Sequence, residues 1–146
     1  MKARIGTQDA LALRIAVVIK RLRSRLREVA SEGMPISQLT ILHYLRTGGP
    51  ATAASLAEKE HVTQQAIAQN LTVLKRAGLV DMSSDKADRR KKLVRLTVSG
   101  NKLYDSVIAT RNAWLSRAIN TTVHSKDLPA LEKGIGLLEQ IADSNG

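Results

Sequence analysis

Thr52 and Thr63 each stand immediately before a short run with helical apolar spacing, and no other feature constrains the chain as tightly. A threonine hydroxyl in that position accepts a hydrogen bond from an amide of the first turn that has no partner within the helix, so it marks where a helix begins. After Thr52 comes AASLAEKEH, with Leu56 and Ala57 on one side. After Thr63 comes QQAIAQNLTVLKRAG, with Ile67, Leu71 and Leu74 on one line and Gly78 as a stop. His61 marks the turn between them and tolerates positive φ better than most residues, so it needs no functional role there. Leu79 and Val80 then open a strand, SSDKADRRKK forms a polar tip, and LVRLT alternates as the return strand. Two short capped helices followed by a basic hairpin are the parts of a winged helix-turn-helix.

The flanks are long amphipathic helices. From Thr7 to Ser31 the residues Leu11, Ile15, Val18, Leu22, Leu26 and Val29 form one stripe, with Arg14, Lys20, Arg21, Arg23, Arg25 and Arg27 on the other faces. Gly33-Met34-Pro35 breaks that helix. Ser37 is the expected cap of a helix through Arg46, with Leu39, Leu42, His43 and Leu45 inward, and Gly48-Gly49-Pro50 is a loop. Ser99-Gly100 opens a helix to about Thr122, with Leu103, Val107, Trp114 and Ala118 on one line and Tyr104, Ile108, Leu115 and Ile119 beside it. The last helix starts near Ser125 or Asp127, because Pro129 fits only a first turn. Its seam is Leu131, Ile135, Leu138 and Ala142. Gly134 and Gly136 weaken it by roughly 1 kcal/mol each relative to Ala, and close helix approach is their expected use.

The expected fold is therefore mainly α: a winged helix-turn-helix with long N- and C-terminal dimerisation helices and a two-stranded β wing. The divisions are 1–35, 36–99 and 100–146. Stripes this long exceed what a small domain needs for its own core, and a two-fold axis is the common way to bury such faces.

Composition narrows the function. The 146-residue chain carries a formal charge of +10, which favours polyanions. It has no cysteine, so disulfides, thiolate zinc sites and thiol redox sensing are excluded. The N-terminal apolar run is only about ten residues, is interrupted by Arg14 and precedes no cleavage site, so no signal peptide is expected. No run approaches the length of a membrane span, and a cytoplasmic location without membrane binding is the expectation. His43, His61 and His124 are scattered, without metal spacing or a nucleophile arrangement, and there is no phosphate-binding glycine loop. Neither an enzyme, a metal site nor a cofactor is expected.

With Ile67, Leu71 and Leu74 inward, the second capped helix turns Gln64, Gln65, Ala68 and Gln69 outward, with Thr72 further along. Glutamine can bond adenine N6 and N7 together, and the N-terminal part of such a helix meets base edges in the major groove. An ordinary solvated helix face would also tolerate Gln, but no acidic residue occurs from Thr63 to Leu79. At the hairpin, Arg89, Arg90 and Lys91 sit at or beside the tip, with Lys86 before and Lys92 after. Guanidinium groups there could enter a minor groove, and Asp88 could steady Arg90 by a local ion pair. Lys75 and Arg76 suit phosphate contacts, Thr63 the start of the reading helix, and double-stranded DNA is the expected partner.

The run from Ser37 to Gly100 resembles the multiple-antibiotic-resistance regulator (MarR) family. The residues that carry the resemblance are Thr52 with Leu56-Ala57, Leu74-Lys75-Arg76-Ala77-Gly78-Leu79-Val80, Asp88-Arg89-Arg90, and Leu96-Thr97 with Gly100. It implies a homodimer straddling a pseudo-palindromic operator, Arg90 in the minor groove with Asp88 as wing support, and regulation that is usually repression relieved by a small ligand. The implied ligand site lies between the terminal helices and the winged domain, where His43, Tyr44, Arg111 and Trp114 are candidates. Without cysteine or clustered His, an anionic or aromatic effector remains, or none. Two alternatives stay open: a non-specific architectural nucleic-acid binder, and a protein-interaction module that uses the winged fold without DNA.

Overall fold

A computed structural model describes residues 6–30 and 33–144 of the chain. The elements, in order, are α1 (Thr7–Ala30), α2 (Ile36–Gly48), α3 (Ala53–Glu60), α4 (Gln64–Arg76), β1 (Val80–Ser84), β2 (Lys92–Leu96), α5 (Val98–Thr122), a 3₁₀ turn (Ser125–Asp127) and α6 (Leu128–Ala142). Contacts divide the chain into two units, Met1–Arg111 and Asn112–Gly146.

The core of the first unit is built around α4. Ile67, Leu71 and Leu74 are buried against Ile41, Leu42 and Leu45 of α2, Leu56 and Ala57 of α3, and Val80 and Val94 of the two strands. Both threonine caps form as the sequence requires. The Thr52 hydroxyl accepts from the Ser55 amide at 3.1 Å and that of Thr63 from the Ala66 amide at 3.1 Å. His61 closes α3 in the left-handed region at φ 54, as expected of the turn residue.

The exit from α4 sets the rest of the topology. Gly78 takes φ 72 and the Leu79 amide returns to the Leu74 carbonyl at 2.9 Å, the doubled-back bond of a glycine-terminated helix. Antiparallel β1 and β2 then pair in a single register, Val80 opposite Leu96 through Ser84 opposite Lys92. Ala51 extends the sheet by bridging Val94. After β2, the Thr97 hydroxyl donates to the Gly78 carbonyl at 2.6 Å and accepts from the Gly100 amide at 3.0 Å. A Cβ on Gly100 would overlap the Leu79 carbonyl oxygen, so only glycine lets the start of α5 lie this close to the end of α4.

Three local expectations are corrected. Ser37 is not the cap of α2: Pro35, with φ −58 and ψ 144, holds that position and accepts the first helical bonds. Proline suits this place because its fixed φ is compatible with the cap and no amide is needed there. His43 does not face inward; it is exposed, and Ile41 takes the buried place on α2. The helix of 99–122 begins at Val98. The expected end of α1 at Ser31 lies outside the described residues.

The long stripes remain uncovered. Leu11 is 54% and Val18 49% exposed on α1, and Ile135 is 48% and Ile141 59% exposed on α6. Among the described residues nothing lies within 4 Å of a Cβ placed on Gly134 or Gly136, so no close helix approach among them explains either glycine. Pro129 sits in the first turn of α6 as expected.

Two substitutions test this account by urea denaturation. Leu74→Ala should cost about 2–5 kcal/mol, as for a fully buried leucine whose site cannot collapse. Gly100→Ala should cost about 1–3 kcal/mol, because backbone has to move to admit the methyl group.

Candidate nucleic-acid interface

Burial of Ile67, Leu71 and Leu74 fixes the rotation of α4, and the opposite face follows. Gln64, Gln65, Ala68, Gln69, Thr72, Lys75 and Arg76 are all exposed, together with the cap Thr63. The Thr72 hydroxyl donates to the Ala68 carbonyl at 2.9 Å, which leaves its oxygen free to accept. Asn70, not singled out from sequence, stands at the edge of this face. Its amide donates to the Ala66 carbonyl, and its Oδ1 lies 3.4 Å from the Ser37 hydroxyl that donates to it. The positive end of the α4 dipole and two unneutralised cations in its last turn flank a glutamine-rich face.

The wing tip is organised by its aspartates, though not by the expected ion pair. Asp88 Oδ1 accepts from the backbone amide of Arg90 at 3.0 Å, and its carbonyl accepts from the Lys91 amide at 3.0 Å. Asp85 Oδ1 accepts from the Ala87 amide at 2.9 Å, while its own amide donates to the Lys91 carbonyl at 2.8 Å. Short Asp side chains reach amides two residues on, which favours this turn over a side-chain pair. Asp88 thus supports the wing through backbone, and the side chains of Arg89, Arg90, Lys91 and Lys92 make no ion pair among the described residues. Arg95, on β2, donates instead to Ser83 across the sheet at 3.1 Å.

A cavity of about 410 Å³ opens within the first unit among α1, α2 and the first half of α5. His43, Tyr44 and Arg111 line it, as does Tyr104; Trp114 lies beyond Arg111 in the second unit. Sequence reasoning missed Arg23 and Arg27, which α1 adds to the wall. Among the described residues no acidic side chain lines the cavity, and these guanidinium groups have no carboxylate partner. Inside it, His43 Nδ1 and the Tyr104 hydroxyl are 2.9 Å apart. The pKa of the Tyr44 hydroxyl is raised above its ordinary value of 10.0, first by loss of solvent and then by the nearby Glu60 carboxylate. Lys59 stands 5.5 Å from the centre of the same ring.

Arg46 is a further residue that sequence reasoning did not single out. It reaches from α2 to α5, donating to Asn101 Oδ1 at 2.6 Å and Asp105 Oδ1 at 3.0 Å. The spacing of Asn101, Tyr104 and Asp105, matched by His43 and Arg46 on α2, is the signal that could have revealed the pairing.

Residues 32–91 match the family model described as the MarR family. Over that stretch the chain is similar to the MarR family. The HTH-type transcriptional regulator MT0903.1 of Mycobacterium tuberculosis is 26% identical over 142 residues, covering 97% of this chain and 99% of its own. The HTH-type transcriptional repressor NicR of Pseudomonas putida is 41% identical over 71 residues, 49% of this chain and 45% of its own. The crystal structure of a Pseudomonas aeruginosa PA01 protein is similar at a TM-score of 0.81 with 28% identity, covering 96% of this chain and 100% of the other. These relatives are named HTH-type transcriptional regulators, and the mainly helical chain with its two-stranded antiparallel sheet has the winged helix fold of the solved MarR structures. No helix among the described residues is long and apolar enough to cross a membrane.

The wing can be tested apart from any ligand. Asp88→Ala should speed hydrogen exchange at the Arg90 amide roughly five-fold, the worth of one hydrogen bond. Asp88→Asn keeps an acceptor in place and should leave that rate near wild type.

Proposed function

We propose that the protein is a homodimeric, sequence-specific regulator of repressor type that binds a pseudo-palindromic operator. The observation that carries this reading is the α4 face: four adjacent outward side chains, Gln64, Gln65, Ala68 and Gln69, with no acidic group anywhere on the helix. In this reading Gln64, Gln65 and Gln69 contact base edges in the major groove and Ala68 leaves room for a thymine methyl. Thr63, Thr72, Lys75 and Arg76 take phosphates, and the wing presents Arg90 to the minor groove with Arg89 and Lys91 on the backbone beside it. The exposed stripes of α1 and α6 supply the dimer contact, so that 1–35 and 100–146 act as dimerisation segments around the DNA-binding 36–99. A repressor role draws support from the name of NicR. The cytoplasm is where such a regulator meets its operator.

The cavity of the first unit suits a small anionic effector with an apolar or aromatic body. Its arginines would hold a carboxylate, and Leu26, Val107 and Ile108 supply apolar wall. His43, Tyr44 and Arg111 are the contacts expected from the sequence that line it; Trp114 belongs to the second unit. Ligand binding that favours a different arrangement of the two reading heads would release the operator.

Selection of bound duplexes from a random pool tests the first part. Enrichment of an inverted repeat supports a sequence-specific dimer; binding that only collapses with salt supports an architectural role. On the selected operator, Gln65→Ala should cost about 1–3 kcal/mol and relax the sequence preference at one position. Arg90→Ala should weaken binding and lower the magnitude of the salt slope by about one. For the cavity, benzoate binding followed by calorimetry should weaken about ten-fold in Arg27→Gln and Arg111→Gln, the loss of one charge-assisted bond.

A further inference from the structure

Besides the packing of Leu103 and Tyr104 against the core, two polar attachments of different character hold α5 to the winged core. The first is the junction at Thr97 and Gly100, where the helix start lies against the Gly78–Leu79 backbone with no room for a Cβ. The second is a polar seam between α2 and α5. There Arg46 uses two guanidinium nitrogens, one on Asn101 Oδ1 at 2.6 Å and one on Asp105 Oδ1 at 3.0 Å. One turn earlier on α2, His43 meets Tyr104 at 2.9 Å.

The Arg46–Asp105 pair is too exposed to be a major source of stability, with side chains 41% and 61% accessible. A forked guanidinium on two acceptors fixes direction, because its donors are planar and rigidly spaced. A helix held only at its start can swing about that point. A second attachment about one turn further on, some 7 Å along the axis at 1.5 Å per residue, removes the swing. Within the first unit α5 runs from Val98 to Arg111, about 21 Å at that rise. A tilt of about 10° at its start therefore displaces that end by roughly 3.7 Å, close to one base-pair step of duplex at about 3.4 Å.

We propose that Arg46 is a positioning residue for operator recognition. By fixing α5 against α2, it sets the separation of the two reading heads and so the half-site spacing that the dimer accepts. The inference rests on the dimeric, operator-binding reading above, since a spacing has meaning only for two heads.

The test uses full-length protein and duplexes that carry the selected half-sites with the spacer lengthened or shortened by one and two base pairs, plus a duplex with one half-site. The variants are Arg46→Gln, Arg46→Lys and Asn101→Ala, each checked for an unchanged thermal midpoint. Wild type should favour one spacer sharply. Arg46→Gln should reduce that preference roughly five-fold, the value of a hydrogen bond to an exposed charged group, while its affinity for the single half-site stays unchanged. Arg46→Lys and Asn101→Ala, which each keep part of the seam, should fall between. A spacer profile in Arg46→Gln that superimposes on wild type overturns the inference and leaves the dimer reading intact. So does an equal loss on every duplex including the single half-site, the mark of a merely structural role. A wild type with no spacer preference overturns both.

Discussion

The burial of three side chains on one helix governs the first unit. With Ile67, Leu71 and Leu74 committed to a core shared with α2, α3 and the sheet, α4 has no rotational freedom left. Its outward residues are then decided without reference to any ligand. The two ends of α4 follow as well: the Thr63 hydroxyl satisfies an amide at the start, and Gly78 turns the chain so that Leu79 and Val80 run directly into the sheet. The same turn leaves the Gly78 carbonyl facing Thr97, and that hydroxyl in turn starts α5. One apolar stripe therefore orients the outward face of α4, the wing and the root of the long helix together.

Charge is distributed to match. A chain with a formal charge of +10 could spend its carboxylates neutralising its cations, but the wing uses Asp85 and Asp88 to bind backbone amides instead. That keeps the turn closed while leaving the guanidinium and ammonium groups of Arg89, Arg90, Lys91 and Lys92 to the solvent. Their combined potential acts over roughly a Debye length of about 8 Å at physiological salt, enough to draw a polyanion toward the tip before contact.

Much of this was legible in the sequence because it is local. A cap hydroxyl, a three-four apolar spacing and a glycine stop act within a few residues, so α3, α4 and a two-stranded wing follow from 52–97, although Ser83, Ser84 and Lys92, read as part of the tip, pair within the strands. The failures share a different cause. Whether Ser37 or Pro35 caps α2 depends on which residue takes the cap conformation, and the two stand only two positions apart. His43 lies on the same apolar-looking face as Leu39, but its partner is Tyr104, sixty-one residues away. Arg46 likewise looks like plain surface charge until α5 is folded beside it. Asp88 was recognisable as wing support, yet whether it would take a side chain or an amide was set by turn geometry. Long-range polar pairings leave only the three-four spacing of the residues that make them, and that spacing does not name the partner; they join α5 to the winged core together with the packing of Leu103 and Tyr104.

The polar seam and the cavity are not independent features. His43 and Tyr104 belong to both: they line the cavity and lie on the α2 and α5 faces that carry Arg46, Asn101 and Asp105. An apolar α2–α5 interface would resist any occupant, since separating it would expose packed surface. A seam of hydrogen bonds can exchange partners instead, because a carboxylate entering among Arg23, Arg27 and Arg111 offers His43 and Tyr104 an alternative acceptor at little net loss. On the proposed reading, the angle of α5 and the occupancy of the cavity are then linked through one shared set of hydrogen bonds, while the Thr97–Gly100 junction stays fixed as the pivot. Linkage runs both ways, so an operator that holds the reading heads at one spacing must also alter the affinity of the cavity for its ligand.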